Sequence, residues 1–331
     1  MLFRSASPVL KKGLAITPVK FGISFNVVHL NQAGALVHVY TDGSVLVNHG
    51  GTEMGQGLNT KVAQVVAEEF GLPPAQVHIT ATTTAKVPNT SATAASSGSD
   101  MNGMAAKAAA ATIRDRLAAF AAKKWKVAKS RIRFEKGQVI IGNQSVSFGE
   151  LAKKAHEGRI SLSSTGFYAT PKVAWDRPRA KGRPFYYFAY GAACAEVTID
   201  TLTGEMRVDR VDILHDVGRS LNPAIDIGQI EGGFVQGMGW LTSEELVFDA
   251  EGRLRTHAPS TYKIPCASDV PADFRVSLYK SKGNRENTIY RSKAVGEPPL
   301  MLATAVWTAL KDAIAAAGNG KTAVQLDAPA T

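Results

Sequence analysis

Four glycines fall within the eight residues Gly50-Gly51-Thr52-Glu53-Met54-Gly55-Gln56-Gly57, and this segment constrains the chain more than any other. Glycine has no Cβ and tolerates positive φ, so the backbone here can turn tightly and let a ligand come close. An amphipathic pattern follows at once. Val62, Val65, Val66 and Phe70 share one helical face, which predicts a helix near 60–70 that ends at Gly71 with Pro73 beyond. A glycine-rich turn into a helix offers backbone N–H groups at the positive dipole end, which suits a phosphorylated cofactor. The Gln56 carboxamide adds a donor and an acceptor. The segment taken alone also reads as an ordinary glycine turn.

With 331 residues the chain has room for two domains, each burying its own core. Hydrophobic content of 45% and charged content of 20% are those of a globular protein. No run approaches the length of a membrane span, and Met1-Leu2-Phe3-Arg4-Ser5 lacks the apolar core of a secretory signal, so the expectation is a cytoplasmic protein without membrane contact. Cys194 and Cys266 are too few for a disulfide framework or for an iron–sulfur cluster held by this chain alone. No His-x-x-x-His or Cys-x-x-Cys spacing occurs, so the expected set of protein metal ligands is empty. Any metal must arrive with ligands of its own. The net charge of +10 raises nucleic-acid binding. The densest basic run, Lys123 to Arg133, falls where an alanine-rich helix ends, a place that favours cations, and it reads as a solvated helix end. No nucleic-acid partner is expected.

Strand and helix signals mix without a regular βαβ rhythm, which predicts an α+β fold of two related lobes, each a mixed β-sheet with packed helices. The first lobe is placed at 1–170, a linker rich in proline and arginine at 171–185, and the second lobe at 186–331. In the first, Leu36–Tyr40 and Ser44–Asn48 flank the tight-turn pair Asp42-Gly43. A strand at 76–80, a long helix at about 100–124, a strand at 138–141 and a helix at 147–156 follow, the last with Ser147 and Glu150 at capping-box spacing. The second lobe repeats the theme. A hairpin of 195–200 and 205–211 leads through Asn222-Pro223 to Gly228-Gln229 and a helix at 230–239, with Gln229 placed like Gln56. Strands at 244–248 and 274–279 and a helix at 299–317 close the chain.

Three more segments carry candidate chemistry. Pro88–Ser99 holds Thr90, Ser91, Thr93, Ser96 and Ser97 around Ala94-Ala95, hydroxyls suited to phosphate or pterin edges, with simple helix capping as the alternative. Gly228-Gln229 by itself fits a solvent-facing glutamine. In Val295-Gly296-Glu297-Pro298-Pro299 the prolines suit a first helical turn, so Glu297 sits at a helix start. There it is either a capping acid or a general base.

Together these segments, with Ser260-Thr261-Tyr262-Lys263-Ile264-Pro265 and Lys293-Ala294-Val295-Gly296-Glu297-Pro298-Pro299, resemble the molybdenum hydroxylases of the xanthine dehydrogenase family. The similarity runs in order from about Lys20 to Pro329 and corresponds to the back part of the molybdopterin-binding region. The resemblance implies that Met54, Gly55, Gln56, Ala95, Ser96 and Gln229 line a molybdenum–molybdopterin site, with the metal held by the pterin dithiolene. Glu297 would be the catalytic base. Phe25 would contact a purine ring, Asn26 would face it, and Ala94 and Ala95 would leave it room. The alternative for Phe25 is a core phenylalanine beside a strand. Two departures stand out. Asn26 replaces the family's usual threonine, which puts substrate preference in question, and Gly98 replaces a frequent serine.

The same resemblance implies partners. The N-terminal half of the molybdopterin-binding subunit and an iron–sulfur/FAD subunit would carry the 2Fe-2S and FAD groups. The expected activity is hydroxylation of hypoxanthine or xanthine to urate, with the isolated chain inactive. Oxidation of aldehydes or other N-heterocycles is the alternative, and a non-catalytic assembly subunit a third.

Overall fold

The computed structural model describes residues 7–318 and 324–331; the Met1–Ser5 segment read for a signal lies outside the described residues. The first strand, β1 (Leu10–Ile23), mixes charged and apolar residues on both faces, so no alternation announced it. β2 (Gln32–Val39) and β3 (Val45–His49) form the hairpin predicted around Asp42-Gly43, in register from Ala35 opposite His49 to Val39 opposite Val45. Helix α1 (Leu58–Phe70) buries Val62, Val65, Val66 and Phe70. It stops at Gly71, whose left-handed backbone (φ 62°) returns its N–H to the Ala67 and Glu68 carbonyls. β4 (Val77–Ile79) lies parallel to β3.

The alanine-rich α2 (Gly98–Trp125) precedes a meander of β5 (Ile132–Glu135), β6 (Gln138–Ile141) and β7 (Gln144–Ser147). α3 (Phe148–Glu157) opens on the predicted cap: Ser147 Oγ accepts the Glu150 N–H at 3.1 Å. Next come β8 (Ser163–Ala169) and a small hairpin of β9 (Ala174–Asp176) and β10 (Lys181–Arg183). The stretch expected to be a linker is therefore structured. β11 (Tyr187–Asp200) and β12 (Met206–Asp216) pair antiparallel and are longer than predicted. α4 (Pro223–Thr242) begins seven positions before the predicted Ile230, because Asn222-Pro223 is a helix start rather than a loop: Asn222 Oδ1 accepts the Ile225 N–H at 3.2 Å. β13 (Asp273–Leu278), α5 (Pro298–Leu302) and α6 (Thr304–Ala317) finish the chain. The strand expected at 244–248 does not form. Leu246, Val247 and Phe248 are exposed, and only an isolated bridge joins Phe248 to Leu254.

The chain divides into two units, and neither is continuous in sequence. The glycine-turn unit is Gly22–Tyr187 with Asn284–Ala294; the glutamate unit takes the described residues up to Phe21, Phe188–Gly283 and the described part of Val295–Thr331. The expected division at 171–185 thus differs from the observed one in two ways: β1 joins the second lobe, and a segment of the second lobe returns to the first. Each unit holds a four-stranded sheet, ordered β4-β3-β2-β8 in one and β1-β11-β12-β13 in the other. In both, a hairpin passes through a helix to a strand parallel to the hairpin's second member. The repeated theme is therefore a ββαβ unit, but Gln56 and Gln229 are not equivalent within it. Gln56 precedes α1, whereas Gln229 lies in the second turn of α4.

In the glycine-turn unit, α1, α2 and α3 bury Phe70, Ile113, Leu117, Phe148 and Leu151 against the sheet, with Phe70 and Phe148 rings 5.3 Å apart. Each such side chain contributes about 1.5–3 kcal/mol of burial. In the glutamate unit, α4, α5 and α6 supply Ile230, Phe234, Leu302, Val306 and Leu310. Within Pro298–Ala317 the mean hydropathy reaches 1.4 over a length able to cross a membrane, with Lys311 and Asp312 interrupting the apolar run. Several of its residues, among them Leu302, Val306 and Ala309, are buried in this core. A core helix passes the same test of length and apolarity.

Candidate functional site

β3 delivers the chain into the glycine turn through the buried His49. His49 Nδ1 accepts the Gly51 N–H at 3.1 Å, so its proton sits on Nε2, and burial holds its pKa below the ordinary value. The first two glycines are required by close approach. A Cβ on Gly50 would lie 2.1 Å from Thr90 Cγ2, and one on Gly51 would lie 2.7 Å from Asn102 Nδ2. Gly55 (φ 98°) has nothing within 4 Å of its Cβ position, so the tip of the turn is open.

The amides expected to serve a phosphate are occupied. Glu53 Oε1 accepts from Gly55 N–H at 2.9 Å and Gly57 N–H at 3.0 Å, and Oε2 accepts from Asn59 N–H at 2.9 Å. Burial pushes the Glu53 pKa up, but these amides outweigh it and hold the carboxyl below its usual range. The helix dipole is thus satisfied from within, and the phosphate role of this helix start is corrected. The Gln56 carboxamide closes the same turn: its oxygen accepts the Met54 N–H at 2.5 Å and its nitrogen donates to the Thr52 carbonyl at 2.8 Å. The second N–H of Gln56 meets no acceptor among the described residues, and Met54 is exposed.

Glu53 escaped the sequence reading because a carboxylate among glycines looked like a loop residue. Its position four residues before the Gly57 cap was the available signal. Glu53→Ala is expected to lower unfolding free energy by about 1–2 kcal/mol at neutral pH, the scale of a lost helix cap. The folded pKa lies below the ordinary 4.5, so this stability is present above that value and lost as pH falls through the folded one. Urea denaturation at neutral pH and at about pH 3 should show the gap between wild type and variant closing in acid. A gap unchanged by acid would remove Glu53 as the anchor.

The Pro88–Ser99 segment docks on this turn, with the Thr52 N–H donating to Thr93 Oγ1 at 2.8 Å. Ser91 donates to the Leu30 carbonyl and Ser97 to the Ala94 carbonyl, so these hydroxyls and that of Thr93 work inside the protein. Ala95 and Ser96 are both left-handed (φ 54° and 53°), a conformation costly for residues with a Cβ and typical of functional segments. Ala94 is exposed and Ala95 half-buried. The Ser91 bond also ties in the loop of Phe25 and Asn26, which Asn31 closes by accepting the Phe25 N–H at 2.8 Å. Phe25 is half-buried against the core and Asn26 is exposed.

In the glutamate unit, α4 packs closely on the segment that carries Glu297. A Cβ on Gly237 would lie 2.4 Å from the Leu300 oxygen, and one on Gly233 would lie 3.1 Å from Pro299 Cβ and 3.6 Å from the Gly296 oxygen. The two segments therefore run in the same direction with backbones in contact. Gln229 lies one further turn back on that face of α4. Glu297 is exposed, occupies the N-cap position of α5 (φ −84°, ψ −38°), and makes no side-chain capping bond. The capping-acid alternative has no hydrogen bond to support it.

Two buried groups were not foreseen. Asp100, in the first turn of α2, has its carboxyl pushed up to about 7 by burial, against the opposing Tyr187 hydrogen bond and the Lys61 charge. Tyr187 donates to Asp100 Oδ2 at 2.5 Å. An acid at a helix start reads in sequence as an exposed capping residue, and only packing shows it buried.

The described residues contain no group of three His, Cys, Asp or Glu able to hold a metal. The open Gly55 tip, the exposed Met54 and the left-handed Ala95-Ser96 pair leave room for a flat polar cofactor. Comparison with known proteins agrees. Residues 3–271 match the molybdopterin cofactor-binding domain family, and the chain belongs to it. A xanthine dehydrogenase/oxidase of Mus musculus is 52% identical over 97% of this chain and 23% of its own length. A xanthine dehydrogenase of Dictyostelium discoideum is 49% identical over 99% of this chain and 23% of its own. The chain thus spans about a quarter of the length of these relatives. In structure, quinoline 2-oxidoreductase from Pseudomonas putida 86 superposes with a TM-score of 0.80 at 26% identity, covering 93% of this chain and 39% of that one.

Proposed function

We propose that this chain forms the C-terminal part of the molybdopterin-binding region of a molybdenum-dependent purine hydroxylase of the xanthine dehydrogenase type, active only together with the remainder of such an enzyme. The observation that carries the reading is the 52% identity across 97% of the chain. Met54, Gly55, Gln56, Ala95, Ser96 and Gln229 hold the molybdenum cofactor. When bound, the cofactor supplies the oxygen transfer and takes up the two electrons released as substrate and water become hydroxylated product. Phe25, Asn26, Ala94 and Ala95 receive the planar substrate, the aromatic face supplying area at small entropic cost. The Glu297 carboxylate accepts a proton. Iron–sulfur and flavin groups on other parts of the enzyme carry the electrons onward.

A second reading, oxidation of an aldehyde or another N-heterocycle, is favoured by the exposed Asn26, whose amide differs from a hydroxyl in reach and donor pattern. Metal and pterin analysis of the intact protein, with turnover of hypoxanthine, xanthine and aromatic aldehydes, tests both. Molybdenum and pterin in equal amounts with purine turnover is the expected result. Aldehyde turnover without purine turnover selects the second reading, and absence of pterin rejects both.

A further inference from the structure

The segment that returns to the glycine-turn unit, Asn284–Ala294, is held along its whole length. Ile289 is fully buried, 3.5 Å from the Cβ position of Gly103 on α2. Tyr290 adopts a left-handed backbone (φ 46°), its hydroxyl 3.2 Å from Glu69 Oε1 and its ring 4.3 Å from Lys107 Nζ. Thr288 donates to the Ser292 carbonyl at 2.6 Å. The last residue of the segment, Ala294, donates its N–H to the Tyr187 hydroxyl at 2.8 Å, and that hydroxyl donates onward to Asp100. Three residues later comes Glu297.

A tyrosine hydroxyl has one proton and accepts through its lone pairs. With its proton committed to Asp100, its lone pairs are turned toward the Ala294 amide. Both Tyr187 and Asp100 are buried, where such chains of hydrogen bonds strengthen one another. Asp100 stands four positions after the left-handed Ser96, and through Tyr187 it also holds Ala294, the last residue of the segment.

We propose that Tyr187 is a positioning residue for Glu297: its hydroxyl latches the Ala294 amide to Asp100 and so fixes the point from which the Val295–Pro299 turn departs. The inference rests on Glu297 being the proton acceptor, and the test separates the two ideas. In the intact protein, Tyr187→Phe is expected to speed hydrogen exchange at the Ala294 amide about tenfold, the scale of one lost hydrogen bond, with the amides of 105–110 unchanged. The same variant in the cofactor-loaded enzyme is expected to lose about 10- to 100-fold in kcat at unchanged KM and molybdenum content, as small misplacements of a reacting group do. Asp100→Asn keeps an acceptor for Tyr187 and should retain most activity, whereas Asp100→Leu should behave like Tyr187→Phe. Wild-type exchange and kcat in Tyr187→Phe, beside a crippled Glu297→Gln, overturn this proposal alone. A fully active Glu297→Gln overturns the role of Glu297 and the proposal with it. Should Tyr187→Phe fail to fold, the unmutated protein decides, since an Ala294 amide exchanging as fast as that of Gly296 means there is no latch.

Discussion

Glu297→Gln is expected to lower kcat by about 10²–10⁴-fold while molybdenum and pterin content stay at the wild-type level. That loss corresponds to about 3–5 kcal/mol of transition-state stabilisation. Glutamine keeps the size and shape of the side chain but cannot take up a proton at neutral pH. The substitution falls on the surface. Glu297 is exposed, its side chain caps nothing, and α5 is started by Pro298 and Pro299. A structural role would therefore appear as lost cofactor or lowered thermal stability, and a catalytic role as lost turnover in a normal holoenzyme. Steady-state kinetics with cofactor analysis on one preparation separates them. Wild-type turnover in the loaded variant would end the assignment of Glu297 as base.

Gly237→Val is expected to destabilise the glutamate unit by about 3 kcal/mol, at the upper end of what overpacked sites show. The added Cβ would sit 2.4 Å from the Leu300 carbonyl oxygen and 2.8 Å from Ala303 Cβ, so α4 and α5 must separate. The obstacle is backbone, which cannot swing aside as a side-chain tip can. Separation also shifts the turn that carries Glu297, so kcat should fall along with stability. Gly232→Ala on the same helix is the control. Nothing lies within 4 Å of its Cβ position, and replacing a helical glycine there should stabilise by about 0.5–1 kcal/mol. Thermal unfolding of the two variants measures the contrast. Equal behaviour would show that the α4–α5 contact is not close in solution.

Elements governed by neighbours in sequence were legible before the fold was known. The α1 face, its Gly71 stop, the Asp42-Gly43 hairpin and the Ser147 cap each depend on residues a few positions apart, and each formed where the pattern put it. β1 was missed because its pairing partner β11 lies more than 150 residues away and its own residues do not alternate. The supposed strand at 244–248 failed for the opposite reason, as an apolar run that no sheet edge receives. The division into lobes was placed by a shift in composition at 171–185, yet the units are set by contacts made by β1 and by Asn284–Ala294, and composition is blind to those.

The candidate site splits along the same line. Sequence singled out the glycine turn, the Pro88–Ser99 segment, Gln229 and Glu297 as candidates, because residue types and order suffice to recognise a family. Which donors remain for a ligand was beyond it. Only the folded chain shows Glu53 consuming the helix-start amides, Gln56 closing its own turn, and Thr93 and Ser91 bonded to backbone. Hydrogen-bonding capacity is spent or spared by geometry, and so is the protonation of a buried acid such as Asp100, since water is excluded by residues far away in the chain. Sequence by itself determined the local elements and the kind of cofactor the chain suits. Tertiary structure alone decided which of its polar groups are left to hold it, because desolvation and pairing depend on contacts that no spacing along the chain records.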